Sequence, residues 1–187
     1  MPPGEPARLT VLAGPSGVGK GSVAALLVQR FPQVYLSVSA TTRPARTGEV
    51  DGVNYHFLQP AAFQALVDGN QMLEWAEYAG HRYGTIGHLV SEATELGRPA
   101  LLEIDLAGAR QVRQSMPSAL QVFLAPPSFA ELKRRLVQRG TDSHSVIKRR
   151  LQVARLELAA QGEFDHIVVN DQLERAVTQL AQVMRLD

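Results

Sequence analysis

The segment Gly14-Pro15-Ser16-Gly17-Val18-Gly19-Lys20-Gly21-Ser22 is where this chain most plainly carries chemistry. Its glycines let the backbone bend so that successive N–H groups turn inward, and Lys20 adds a full positive charge. That combination cradles phosphate oxygens, helped by the partial positive charge of a helix N-terminus. The setting fits, because a strand-like run, Leu9–Ala13, precedes the loop and helical spacing follows it. This is the context of a P-loop, in which Lys20 would reach the β and γ phosphates of a nucleoside triphosphate. The strict pattern puts Ser or Thr directly after the lysine. Here Gly21 intervenes, which leaves Ser22 as the hydroxyl for a Mg2+ ion.

Other groups of the right type recur along the chain. From Ala40 to about Tyr55 the sequence is polar, arginine-rich and punctuated by glycine, and is hard to read as core. Its guanidinium forks, Arg43 and Arg46, suit a dianionic phosphate, although such charges also serve simply to keep a loop wet. Glu103 and Asp105 close a buried-strand pattern, the place where a P-loop enzyme keeps the acid that orients metal-bound water. Spacing leaves open which of the two does so. Arg139 and Arg150 flank a short segment, with Arg135 one helical turn before Arg139. The histidines, His81, His88 and His144 among them, show no metal-ligand spacing. With no cysteine, disulfides and thiolate metal sites are excluded.

These groups need a frame, and the hydrophobic pattern predicts one. Strand patterns at Leu9–Ala13, Val34–Val38, Ala100–Ile104, Leu120–Leu124 and His166–Val169 alternate with helical ones. The helices are expected through Val23–Phe31, then at Ala107–Ser115, Phe129–Gln138, Val146–Ala160 and Leu173–Leu186. Such alternation predicts an α/β fold, a parallel sheet flanked by helices with right-handed crossovers. Residues 39–89 read as an insertion on that sheet, with a core over about 7–38 and 90–187. Within the insertion Phe57–Leu89 mixes helical and extended signals. A length of 187 residues suits one domain. A formal net charge of +1 gives no argument for nucleic acid, and the longest apolar runs are too short to span a bilayer. The start lacks the pattern of a signal peptide, so a cytoplasmic place is expected.

Six segments in order resemble guanylate kinases: the P-loop; Ser39–Glu49 with Gly52 and Tyr55; Leu73-Glu74-Trp75-Ala76; Tyr83-Gly84-Thr85; Leu102-Glu103-Ile104-Asp105 with Gly108; and Arg139-Gly140-Thr141 with Arg150. Val169-Asn170-Asp171 is a seventh. Together they cover about Leu9 to Asp171.

The resemblance implies a P-loop NTPase-type sheet, a GMP-binding insertion over 39–89 and a short lid over about 139–150. It implies transfer of the γ-phosphoryl group of Mg-ATP to GMP, and also to dGMP, by a monomer or homodimer without nucleic-acid or membrane partners. By family position Arg43, Arg46, Tyr55 and Tyr83 hold the GMP phosphate, assisted by Arg150. Glu74 reads guanine, accepting from N1–H and the 2-amino group where adenine would present an acceptor. Ser39, Thr85 and Asp105 make further base contacts. Lys20, Arg43, Arg139 and Arg150 surround the transferring group, while Arg135, Arg139 and Asn170 lie beside ATP. Two other readings use the same scaffold: a ribose bisphosphate kinase, which has no use for Glu74 as a guanine reader, and a guanylate-kinase-like protein-binding module. The module reading sits badly with Lys20, Arg139 and Arg150 all present.

Overall fold

The computed structural model describes residues 8–138 and 143–186. Five strands form one parallel sheet: β1 (Leu9–Ala13), β2 (Tyr35–Leu36), β7 (Ala100–Glu103), β8 (Leu120–Ala125) and β9 (His166–Val169), in the order β2-β7-β1-β8-β9. All five residues of β1 are buried, because this central strand is covered on both faces. Leu12 points into a core shared with α1 (Lys20–Arg30), α5 (Phe129–Gln138), α6 (His144–Ala159) and α7 (Leu173–Met184), where Val23, Leu27, Leu132, Val177 and Leu180 meet. Leu9 and Val11 point the other way, against Val90 of α3 (Gly87–Glu95) and Val112 of α4 (Leu106–Ser115). The period-two alternation of a strand thus fills two cores at once.

Residues between β2 and α3 build a second, four-stranded sheet. Its strands are β3 (Ala40–Thr41), β4 (His56–Phe57), β5 (Met72–Tyr78) and β6 (His81–Ile86), in the order β4-β3-β6-β5. Helix α2 (Pro60–Asp68), opened by a proline at its first position, packs Phe63 beneath it with Ala40 and Ile86. Ala40 and Thr41 are fully buried. The polar stretch that was hard to read as core therefore begins with two core residues, in a strand too short to show alternation.

The second sheet is tied to the first unit at α4. Gln111 uses its side-chain amide to mimic a neighbouring strand, donating to Trp75 O and accepting from Trp75 N, each at 3.0 Å. Ser115 donates to Leu73 O at 2.9 Å. Among the described residues no helix is long and apolar enough to cross a membrane.

Candidate active site

The loop after β1 takes the conformation its glycines permit. Gly17 and Gly19 have φ of 86° and 100°, a region that side chains rarely adopt, and Gly19 caps α1. Lys20, the first residue of α1, folds back over the loop and donates from Nζ to Gly14 O at 2.7 Å. Burial pushes its pKa down, and the carboxylates of Glu103, Glu157 and Asp105 oppose that shift. The floor of the loop is fixed from beneath. Asn170, 6% exposed at the end of β9, donates from Nδ2 to Val18 O at 2.8 Å. Arg135 donates to Val18 O at 3.2 Å and to Asn170 O at 3.0 Å, and is itself held by Glu131 at 2.9 Å. Expected beside a nucleotide, Asn170 and Arg135 here have these particular polar atoms committed to the loop backbone.

Glu103 and Asp105 stand at the carboxyl end of β7, where ligands gather in open α/β sheets. They differ in what holds them. Asp105 caps α4, accepting from Gly108 N at 2.8 Å. Glu103 faces Gly21, since a Cβ there would lie 3.4 Å and 3.6 Å from its two carboxylate oxygens. The surrounding protein raises the Glu103 pKa, and Lys20 lowers it. Glycine in place of the usual hydroxyl residue thus leaves room between α1 and this carboxylate. Ser22 is exposed on the first turn of α1.

A cleft opens between the two sheets, and Ser39, Glu74, Tyr83, Glu103 and Asp105 line it. Glu74 and Thr85 are directly opposite each other on β5 and β6. Both are buried, at 7% and 1% exposure, and Thr85 Oγ1 donates to Glu74 Oε1 at 2.7 Å. The other oxygen, Oε2, lies against Gly108, where a Cβ would come within 3.0 Å of it. Burial pushes the Glu74 pKa up to about 7; the Thr85 bonds oppose this and the Asp105 charge adds to it. A buried acid is thereby presented to this cleft, a slot between the two sheets.

Beside this slot Tyr55 and Tyr83 meet edge to face, with ring centroids 6.0 Å apart. The Arg43 guanidinium lies over the Tyr55 ring at 5.4 Å and pairs with Glu49 at 2.8 Å. Glu49 also accepts from Arg46 N at 2.7 Å, so one carboxylate gathers the arginine loop. The bond to Glu49 raises the Arg43 pKa and lowers that of Glu49. Arg46 itself is exposed. Arg150 is half-buried on α6, and Arg139, Gly140 and Thr141 lie outside the described residues.

The structure adds two acids that residue-by-residue reading gave no role. Glu49 was legible only as part of a motif. Glu157 sits in the last turn of α6, on the side where Leu151 and Ala154 enter the core. An acid at an apolar helical position was the available signal for it.

The guanylate kinase family model matches residues 6–186. The guanylate kinase of Mycobacterium sp. (strain MCS) is 58% identical over 179 residues, 95% of this chain and 90% of that one. That of Synechococcus sp. (strain CC9902) is likewise 58% identical over 179 residues, covering 96% of each chain. The crystal structure of guanylate kinase from Anaplasma phagocytophilum superimposes with a TM-score of 0.75 at 29% identity, over 97% of this chain and 86% of the other. A shikimate kinase from Bacteroides thetaiotaomicron shares the fold alone, with a TM-score of 0.51 at 12% identity over 96% of this chain and 99% of the other.

Proposed function

The chain belongs to the guanylate kinase family, whose reaction passes a phosphoryl group from ATP to GMP, and from that premise we propose which residues do the work. The observation that carries the substrate reading is the buried Glu74–Thr85 pair at the cleft. Guanine offers N1–H and a 2-amino group side by side, and an ionised Glu74 accepts from both. Adenine offers an acceptor at N1, which leaves a buried carboxylate facing a lone pair. Unpaired polar groups of that kind are worth about 10⁴-fold in discrimination. Ser39 and Asp105 line the same cleft as further base contacts, and Thr85 orients Glu74 from behind.

The rest of the reading follows from charge. The GMP phosphate goes to Arg43, Arg46, Tyr55 and Tyr83, with Arg150 reaching it from α6. ATP lies along Gly14–Ser22, with Lys20 on its terminal phosphates and Arg135 and Asn170 bracing the loop. The residues present fit Mg2+ in the form it takes with ATP, held mostly by phosphates and water. Glu103 would orient its water across the space that Gly21 leaves open, and Ser22 is the nearest hydroxyl on α1. When bound, the ion would neutralise charge that develops on the transferring oxygens. Asp105 is the weaker choice for that place, because one of its oxygens caps α4. Transfer in line needs no strong base, since the acceptor oxygen is already anionic. It needs positive charge around a loose transition state, which Lys20, Arg43, Arg139 and Arg150 would supply. A cytoplasmic place, with ATP and GMP both at hand, is part of the same proposal.

The test is ADP formation from Mg-ATP with GMP, IMP, AMP, UMP and ribose 1,5-bisphosphate as separate acceptors. Strong turnover with GMP, weaker with IMP and none with AMP is the expected pattern. Glu74→Gln should lower kcat/KM for GMP by about 100-fold while KM for ATP stays within about threefold. AMP turnover equal to that with GMP would remove Glu74 from its assigned role.

A further inference from the structure

The acid assigned to the base is held by groups to which the reaction as just described gives no part. Strand β5 is last in the order β4-β3-β6-β5, so one of its edges faces no strand among the described residues. Helix α4 lies along that edge and meets it with one face. Gly108, Gln111 and Ser115 follow helical spacing, and each touches the stretch around Glu74. Ser115 donates to Leu73 O at 2.9 Å. Gln111 accepts from Trp75 N and donates to Trp75 O, each at 3.0 Å. Gly108 leaves room for the Glu74 carboxylate, since a Cβ there would lie 3.0 Å from Oε2. The chain is thus anchored to α4 immediately before and immediately after Glu74.

Satisfying the edge of the strand does not require a glutamine. Trp75 is 36% exposed, and water would serve its N–H and carbonyl there. What a primary amide adds is a donor and an acceptor together, in the arrangement of a peptide group. The two bonds also fix how the amide is turned, because the reverse orientation would set like against like. The same helix carries Asp105 at its N-cap, where it accepts from Gly108 N at 2.8 Å and lines the cleft. One helix therefore sets the separation of the two carboxylates assigned to guanine.

We infer that Gln111 is a positioning residue for base selection: by gripping Trp75 N and O it holds Glu74 where its carboxylate meets guanine N1–H and the 2-amino group together. This rests on the reading of Glu74 as the acid that accepts from guanine. Gln111 acts through β5 and not on either substrate, so its effect belongs in KM for GMP and leaves ATP binding and kcat alone. Two bonds made side by side also suffer more from a loosened strand than one does. The loss should therefore fall harder on GMP than on IMP, which keeps N1–H and has no 2-amino group. A contribution to folding alone lowers the active fraction equally for every acceptor.

The experiment uses the full chain with Gln111→Met, Glu74→Gln and the double variant Gln111→Met/Glu74→Gln, with urea unfolding to establish that each is folded. Methionine has a similar length and makes neither bond to Trp75. Gln111→Met should raise KM for GMP about tenfold, with kcat and KM for ATP within about threefold. The preference in kcat/KM for GMP over IMP should fall about fivefold. In the Glu74→Gln background, Gln111→Met should cost less than about twofold in kcat/KM for GMP. Equal losses in both backgrounds would overturn the inference, as would an unchanged preference for GMP over IMP. If Met does not fold, Gln111→Ala, a strong helix former that opens the strand edge to water, takes its place with the same expectations. A Glu74→Gln protein with wild-type kcat/KM for GMP would sink the reading of Glu74, and this inference with it. An impaired Glu74→Gln protein beside an unimpaired Gln111→Met would sink this inference alone.

Discussion

At the scale of single residues the proposed chemistry turns on Glu74. Burial pushes its carboxyl pKa up to about 7 in the folded protein, from the ordinary 4.5 of an unfolded chain. The folded state therefore takes up a proton between those values. The stability this group allows is greatest at low pH and is lost as pH rises through about 7. From about pH 5.5 to about pH 8.5 the wild type should lose about 2 kcal/mol relative to Glu74→Gln, read from urea unfolding of both proteins. On the proposed reading binding carries the opposite sign, because guanine would need the ionised form. Below about pH 7 the affinity for GMP should fall about tenfold per pH unit relative to Glu74→Gln, a comparison that cancels titration of the GMP phosphate itself. Isothermal calorimetry of both proteins checks this, and parallel slopes would count against it. Residue types in sequence told which groups could meet a phosphate or a base. They did not tell that Glu49 gathers the arginine loop, because that contact depends on packing that no local pattern encodes.

At the scale of elements the two sheets differed in how readable they were. Strands β1, β7, β8 and β9 are apolar runs bounded by helices, and the pattern placed each within a residue or two. Strands β3 and β4 have two residues each, too few to show alternation, and β5 carries the buried Glu74 on the side that borders the cleft and the exposed Glu77 on the other. What fixes this second sheet is close backbone approach. A Cβ on Gly84 would come within 2.6 Å of Glu74 O and 2.8 Å of the Trp75 Cβ, so only glycine lets β6 lie against β5 at that register. Gly84→Ala should cost about 1–3 kcal/mol and, by shifting Glu74 against Thr85, raise KM for GMP more than KM for ATP. Thermal unfolding with steady-state kinetics measures both. A variant with full stability and unchanged KM for GMP would show that β5 and β6 can re-register freely.

At the scale of the whole molecule, the parallel sheet carries the loop at Gly14–Ser22 and the second sheet carries Glu74, the acid proposed to read the base, with the cleft between them. A ligand that bridges such units stabilises the whole by mass action. GMP at about 100 times its Kd should add about 2.7 kcal/mol. For a chain of this size that is a rise in Tm of roughly 5–10 °C, read by scanning calorimetry. AMP at the same concentration should leave Tm unchanged, and an equal rise with AMP would mean that the phosphate, not the base, is what the cleft recognises. The alternation of strands and helices made the α/β architecture legible from the outset. The joint between the sheets was not, because Gln111 meets Trp75 across 36 positions of chain and no local pattern records a side chain standing in for a strand.

The Arg43–Glu49 pair has a consequence for turnover. A guanidinium left bare would grip any dianion and release it slowly. Here an anion belonging to the chain already occupies it, so on the proposed reading an arriving monophosphate would trade places with Glu49 instead of meeting a naked charge. When the product departs, Glu49 would return and fill the vacated fork. The pair would then act as a tethered competitor that exchanges selectivity of grip for speed of exit, the balance suited to a catalyst that must let go of a more highly charged molecule than it took in.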